Sequence, residues 1–446
     1  MAPPVDLKQA RSILDELYEA GVAAVDPAEA VRRALALEGS TLQIGRRAFD
    51  LTSGRVIVVA IGKAALEMSH GIVDVLGDRI DAAIALTKDG VPPAHDCTGV
   101  QIAYASHPIP DERGVAATRE ILAMVSGLDT RDLVIALISG GGSALLEAPR
   151  SPLVLGDIQL TTDVLLKAGA PIQDLNAVRS ELSHVKGGGL RRAIGEATCV
   201  SLILSDVLGN DPSVIASGPT VSRFPNPQRA LELLDAYGLR TSVPEAVVAF
   251  LEDRCESYEE VAIKPVHPAD LWWIVGDNQR FIEAMAARAD TLGRSARIVW
   301  RDREGEAADL ARQFVDVCSA MPNDVDIVIG GGEATVTVRG DGTGGRNTEF
   351  ALAAAIALQG KQAPWMIASL ASDGDDGANV DAAGGFGDAA LISRISRRGD
   401  TLAAAEAALL RNDSGRYLRE ARSLFHSVPT GTNVNDAYIG IRLATE

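Results

Sequence analysis

Short apolar runs in this chain repeatedly empty into side chains suited to holding anions. The run Arg55–Ile61 ends in Gly62-Lys63, Leu133–Ile138 ends in Ser139-Gly140-Gly141-Gly142-Ser143, and Cys199–Leu204 ends in Ser205-Asp206. An ammonium beside helix-opening N–H groups is a poor arrangement unless an anion joins them. Consecutive glycines let backbone N–H groups close around phosphate oxygens with no Cβ in the way. Asp206 follows the logic of strand-end aspartates that hold Mg2+ in nucleotide-dependent enzymes. Asn210-Asp211 follows in the same loop, where Asp211 either joins that metal site or caps the turn before Pro212.

Further candidates recur downstream. Arg179, in Asn176-Ala177-Val178-Arg179, precedes Lys186-Gly187-Gly188-Gly189 by two helical turns, so the two cations could share one anion or form a solvated basic face. Gly330-Gly331-Gly332-Glu333 repeats the pattern of an apolar run followed by glycines and a polar side chain. Gly340, Gly342 and Gly345 match GxGxxG and lead into Arg346-Asn347. With a Thr-bearing strand before them and no acid about 20 residues on, they are a weak dinucleotide signal. Arg346, at that helix start, suits a bidentate grip on a carboxylate or phosphate. Ser372-Asp373-Gly374-Asp375-Asp376 gathers carboxylates at another strand end, where one serves as base or metal ligand or the group forms Asx turns. His107 stands at a strand end too, and core or surface satisfaction is the expected role for it. Neither a Walker GxxxxGK[ST] nor a GxSxG elbow occurs.

Composition narrows the partners. A net charge of −18 opposes polyanion binding, so nucleic acid is not expected and an anionic small molecule must find local cations. The four cysteines form no CxxC pair, which fits a reducing cytoplasm with neither zinc site nor disulfide framework. No apolar stretch approaches the ~20 residues that cross a bilayer, and no membrane partner is expected.

The elements that must position these residues alternate. Runs at 55–61, 82–86, 100–104, 133–138 and 199–204 read as strands buried on both faces, separated by helix-length stretches. That is an α/β pattern with a doubly wound, mainly parallel sheet, whose ligands sit beyond the strands' carboxyl ends. Prolines after Pro219 and the charged stretch around Leu251–Glu260 place a domain boundary near 240, giving domains 1–240 and 241–446. The second series includes 271–275, 296–300, 327–329 and 365–370, and the alternation at 334–338 suggests an antiparallel edge in a mixed sheet. Two packing helices are expected between Asp6 and Leu37.

The set Ile61-Gly62-Lys63-Ala64, Ser106–Asp111, Ile138–Leu146, Leu204–Val207, Gly218-Pro219-Thr220, Gly344–Asn347, Ser372-Asp373-Gly374 and Thr430–Asp436 resembles the glycerate 2-kinase family with a MOFRL-type C-terminal domain. The resemblance covers roughly 7–443, and the motifs stand in family order. It implies an ATP- and Mg2+-dependent transferase, monomeric or homodimeric, that phosphorylates the 2-hydroxyl of D-glycerate in a cleft between two α/β domains. Lys63 and Arg346 would then bind substrate or transferred phosphate. Ser139 to Ser143, with Gly140, Gly141 and Gly142 between them, Arg179, Lys186, Glu333 and Asn347 would contact nucleotide or substrate. Asp206 and Asp211 would hold the metal, and Asp373 would take the hydroxyl proton. Ser180-Glu181 departs from the basic pair expected after the arginine. The alternative is an NAD(P)H-dependent hydroxypyruvate reductase, suggested by the GxGxxG string.

Overall fold

The computed structural model describes residues 5–91, 97–257, 270–361, 364–377, 381–395 and 401–444. It divides into two units, Pro27–Val275 and Met1–Asp26 with Gly276–Glu446. Strands β1 (Leu35–Glu38), β2 (Thr41–Ile44) and β3 (Arg47–Asp50) form a small antiparallel meander in the first unit. The run from Leu35 is therefore strand, while the second of the two expected helices covers Pro27–Ala34. The main sheet comprises β4 (Val56–Ile61), β5 (Ala82–Lys88), β6 (Gln101–Ala105), β7 (Leu133–Ile138), β8 (Thr198–Leu204) and β9 (Leu271–Gly276), in the order β6-β5-β4-β7-β8-β9.

Pairings from β6 through β8 are parallel. Every residue of β4, β7 and β8 is buried, as a sheet covered on both faces requires. The chain runs outward from β4 to β5 and β6, then returns to place β7 on the other side of β4. That reversal is a topological switch point, where open α/β sheets leave a crevice at the strand ends. Gly62-Lys63 and Ser139–Ser143 follow β4 and β7 there.

The first unit extends past the expected break near 240 because the residues beyond it remain in its core. The helix Glu245–Glu256 buries Val247 and Leu251 against Leu231, Leu234 and Leu182, and β9 joins the edge of the sheet. Residues 258–260 of the charged stretch lie outside the described residues.

In the other unit, β10 (Ala296–Glu306), β11 (Ile327–Thr335), β12 (Trp365–Ala371), β13 (Gly384–Gly387), β14 (Leu424–Phe425) and β15 (Asp436–Arg442) make a mixed sheet. Its order is β10-β11-β15-β12-β13-β14, with β10–β11 parallel and the remaining pairs antiparallel. The expected edge at 334–338 is absent: β11 is one interior strand ending at Thr335, between β10 and β15. Phe350 stacks on Tyr438 at 4.6 Å in the core above it.

The opening helix Leu7–Ala24 starts with an Asp6–Gln9 capping box and buries Leu14, Leu17 and Tyr18. It belongs to the mixed-sheet unit, because Tyr18 meets Phe281 edge-on at 6.3 Å and donates to the Ala371 carbonyl at 2.9 Å. Among the described residues no helix is long and apolar enough to cross a membrane.

A Cβ at Gly21 would stand 2.8 Å from the Phe281 ring and 2.9 Å from Met285 Cε. Replacing a mid-helix glycine ordinarily gains a few tenths of a kcal/mol, roughly 0.3–1, in propensity. Overpacking of this seam is expected to outweigh the gain, so Gly21→Val should lose about 1–3 kcal/mol, read as a lower midpoint in chemical denaturation.

Candidate active site

The three glycine triplets have three different fates. At Gly140–Gly142 the chain leaves β7, and Gly141 adopts φ +83°. Among the described residues nothing accepts the N–H of Gly141 or Gly142. At Gly187–Gly189 the amides are already used: Gly187 donates to the Ser217 carbonyl at 2.9 Å and Gly188 to that of Gly218 at 2.7 Å. Gly330–Gly332 lies inside β11, paired to Tyr438, Ala437 and Asp436, with Asn278 Oδ1 only 2.0 Å from where a Gly331 Cβ would sit. The last two triplets are close-packing devices, and only the first has the form of an anion loop.

Around that loop the expected residues converge. Lys63 N donates to the Gly140 carbonyl at 2.9 Å, and Ala64 N donates to Ser139 Oγ at 3.1 Å, which ties the β4 end to the β7 end. Gly62 makes this possible with φ +119°, because a Cβ there would lie 2.3 Å from Ser139 Oγ. The Asp206 carboxylate lies against Gly140, with Oδ2 2.0 Å from a would-be Cβ. The Lys63 stem and the His107 ring both stand about 3.1 Å from a would-be Gly141 Cβ. Burial raises the Asp206 pKa, and the attraction of Lys63 works against that rise. Burial, then Lys63 and Lys88, hold His107 down to about 4, so the imidazole is neutral at physiological pH.

A polar chain continues from the loop. Ser217 Oγ donates to Asn176 Oδ1 at 2.9 Å, so its 2.8 Å contact with Ser143 Oγ has Ser143 as donor. Arg179 Nη2 donates to Asn176 Oδ1 at 2.6 Å and to Ser217 Oγ at 3.2 Å. Asn176 Nδ2 and Arg179 Nε remain buried with no described partner. Ala216 and Ser217 hold φ +52° and +62°, unusual for residues with a side chain. Two orphaned donors beside a glycine loop suit an anionic ligand.

Lys186 does not share that role. Its Nζ donates to the Ser143 carbonyl at 2.8 Å and the Leu146 carbonyl at 2.9 Å, and pairs with Glu147 at 2.9 Å, all while 1 % exposed. Those contacts use its three protons, and the helix carrying Arg179 ends at Leu182, before the lysine. Lys186 therefore braces the loop from beneath. Asp211 accepts from Ser213 N at 2.9 Å and caps its own exposed turn. Among the described residues no group of three or more His, Cys, Asp or Glu side chains is placed to hold a metal ion.

The second cluster lies in the mixed-sheet unit. Arg346 grips Asp436 through Nε at 2.6 Å and Nη2 at 2.8 Å, so the fork expected for a ligand carboxylate is filled from within the protein. Burial opposes the guanidinium charge, yet Asp436 outweighs it and raises the Arg346 pKa. Asn347 is fully buried between Asp436, to which its Nδ2 donates at 3.0 Å, and Ser369 Oγ, so it orders the site without reaching a ligand. Glu333 stands close enough to act electrostatically on both Arg346 and Tyr438.

The three acids after β12 separate. Asp375 caps an exposed turn through Gly377 N, and Asp376 accepts Asn347 N at 2.7 Å and Thr348 N at 2.8 Å at the start of helix Arg346–Ala357. Asp373 remains, its pKa raised by burial despite the Asp375 amide and Arg346. The GxGxxG glycines are occupied by the chain: would-be Cβ atoms meet Arg411 O at Gly340, Asp413 Cβ at Gly342 and Asp376 O at Gly345. Ten residues also separate β11 from that helix, so the string is no strand-to-helix nucleotide turn.

This architecture, a parallel sheet with one open glycine loop followed by a mixed sheet, coincides with two family models. A domain of unknown function, DUF4147, matches residues 13–252, and the MOFRL family matches 326–436. A glycerate 2-kinase of Pyrococcus horikoshii is 35 % identical over 97 % of this chain and 97 % of its own. A protein of Agrobacterium vitis, named provisionally as a hydroxypyruvate reductase, is 37 % identical over 96 % of this chain and 93 % of its own. The crystal structure of a glycerate kinase from Thermotoga maritima superposes with a TM-score of 0.84 at 33 % identity, covering 98 % of this chain and 100 % of that one. The chain belongs to the glycerate 2-kinase family.

His107 stands beside the loop and Asp376, one of the three strand-end acids, caps a helix, while Ser217 and Asp436 complete the two clusters without having been singled out by residue type. The strand-end position of His107 and the Thr430–Asp436 motif were the available signals.

Burial, against the amides of Thr348 and Asn347, lifts the Asp376 pKa to about 6 from an ordinary 3.8. Between those values the folded state binds more protons than the unfolded one, so this group's contribution falls as pH rises. Asp376→Asn should flatten the decline in stability between about pH 4 and 6, measured as denaturation midpoint against pH.

Proposed function

We propose that the chain is an ATP- and Mg2+-dependent kinase that transfers the γ-phosphoryl group to the 2-hydroxyl of D-glycerate, giving 2-phospho-D-glycerate and ADP. A reducing cytoplasm suits its four free cysteines, and it would work there as a monomer or homodimer. The observation that carries the reading is the one open glycine loop, with Lys63, Asp206 and Arg179 around it, in a chain that kinase relatives match from end to end.

Roles divide by cluster. Amides of Gly141 and Gly142 and the ammonium of Lys63 would hold phosphate oxygens, and the orphaned donors of Asn176 and Arg179 would take further oxygens of the triphosphate. Asp206 fits Mg2+, since a deep-set carboxylate with raised pKa favours a cation, and Mg2+ is commonly held by one or two carboxylates plus phosphate oxygens. When bound, that ion would neutralise charge on the transferring group. Arg346, fixed in orientation by Asp436, presents its remaining N–H edge to the glycerate carboxylate. Asp373 would serve as base for the 2-hydroxyl proton, and its raised pKa suits a base better than that of an ordinary exposed aspartate.

The reductase reading draws on the Agrobacterium relative's name. The filled GxGxxG glycines weigh against it.

With D-glycerate, ATP and Mg2+, coupling through enolase and pyruvate kinase should give signal without phosphoglycerate mutase. A strict need for the mutase would indicate the 3-phosphate, and NADPH or NADH oxidation with hydroxypyruvate and no ATP would displace the kinase reading. Lys63→Ala should lose on the order of 10³-fold in kcat, by analogy with other transition-state cations. Gly140→Ala, which pushes on Asp206, should lose at least about tenfold in kcat with little change in thermal midpoint.

A further inference from the structure

A second basic concavity lies in the parallel-sheet unit, along a neighbouring face of the helix Ile172–Leu182. Asn176 and Arg179 turn one face of that helix toward Ser217. Ala177, Ser180 and Glu181 turn an adjacent face, offset by one residue, into a groove of about 140 Å³. Arg150, Arg192, Arg223 and Arg229 line the same groove. Glu181 is its one lining carboxylate, and both oxygens are engaged, Oε1 by Asn226 N at 2.6 Å and Oε2 by Arg254 Nη2 at 3.2 Å. Arg229 has acids only at the limit of ion pairing, Asp174 at 3.8 Å and Glu232 at 3.7 Å. Arg150 Nε and Ser180 Oγ are buried with no partner among the described residues.

Positive charge is thus concentrated beyond what the groove neutralises. Burial, then Arg254 and Arg192, pull Arg150 down to about 10. Gathering guanidinium groups in a partly desolvated hollow is unfavourable unless an anion enters it. Beside the arginines, Phe224 is 72 % exposed and, with Pro225 and Pro227, walls an adjoining hollow of about 440 Å³. A flat apolar surface next to cationic forks is the pattern that recognises a phosphate joined to a ring.

We propose that this groove is a second ligand site, separate from the glycine-loop site, for a phosphorylated small molecule: Arg150, Arg192 and Ser180 grip the phosphate and Phe224 covers an aromatic or other planar body. The ligand takes the place of the missing acid, accepting from Arg150 Nε and Ser180 Oγ.

His184 offers a local reporter, because partial desolvation of its imidazole and then the charges of Arg150, Arg192 and Arg254 hold its pKa down. The experiment is an NMR titration of the His184 imidazole in the full chain, with inorganic phosphate, phenyl phosphate or sodium chloride at matched ionic strength. Phosphate should raise the His184 pKa more than chloride does, and phenyl phosphate should do so at lower concentration. Arg150→Gln/Arg192→Gln should weaken phosphate binding at least about tenfold. Exposed Arg223→Gln provides a milder version if the double variant fails to fold. Phe224→Ala should erase the advantage of phenyl phosphate, and Lys63→Ala should leave the response intact. A response no larger than that to chloride, or one retained in the arginine variants or lost in Lys63→Ala, would overturn the second site. Equal affinity for the two phosphates would overturn the assignment of a planar body.

Discussion

The absence of one Cβ, at Gly140, governs the geometry of the candidate site. Asp206 can lie against the β7 loop only because nothing projects from that residue. Gly62, with φ +119°, lets Lys63 N bond the Gly140 carbonyl, which sets the lysine beside the loop. Any side chain at 140 would displace the carboxylate or open the loop. The two strand ends share a switch point because β7 returns to the flank of β4 opposite β5, a choice made by topology and supported by continuous apolar burial in both strands. Lys186 and Glu147 then brace the loop from below, a buried pair that fixes shape and takes no part in ligand contact.

The mixed-sheet unit solves a related problem with compensation. Arg346 stands at a helix start, where its charge is unfavourable, and Asp436 from the central strand β15 neutralises it in a bidentate grip. Asp376 meets the same helix start from the other direction, accepting two of its orphan amides. Arg346, Asp376 and Asp373 are each oriented by a partner within the protein, so little reorganisation would be left for a ligand to impose. Around Arg346 acids outnumber the cation, with Asp436, Asp376 and Glu333 all acting on it.

Much of the first unit was legible from the sequence, since apolar runs of strand length with polar ends, separated by helix-length stretches, fit the strands of a buried sheet. The convergence of Lys63, Ser139, Gly140 and Asp206 followed from placing each at such an end. Pairing of side chains was not legible. Lys186 looks like a ligand-binding cation until Glu147, distant in sequence, is seen beneath it, and Arg346 looks like an open fork until Asp436 fills it. The triplet at Gly330–Gly332 has the composition of a loop, yet its glycines admit Asn278 and the neighbouring backbone within a strand. The opening helix could not be allotted to the far unit either, because its amphipathic face records that it packs and not against what.

If the loop after β7 and Lys63 hold the transferring phosphate, the lysine must become inaccessible when nucleotide binds. Competitive acylation of all lysines, read by mass spectrometry with and without ATP and Mg2+, measures this without relying on turnover. The account predicts that ATP slows labelling of Lys63 strongly while exposed lysines such as Lys167 react at unchanged rates. Labelling of Lys63 at the same rate with saturating ATP would contradict it.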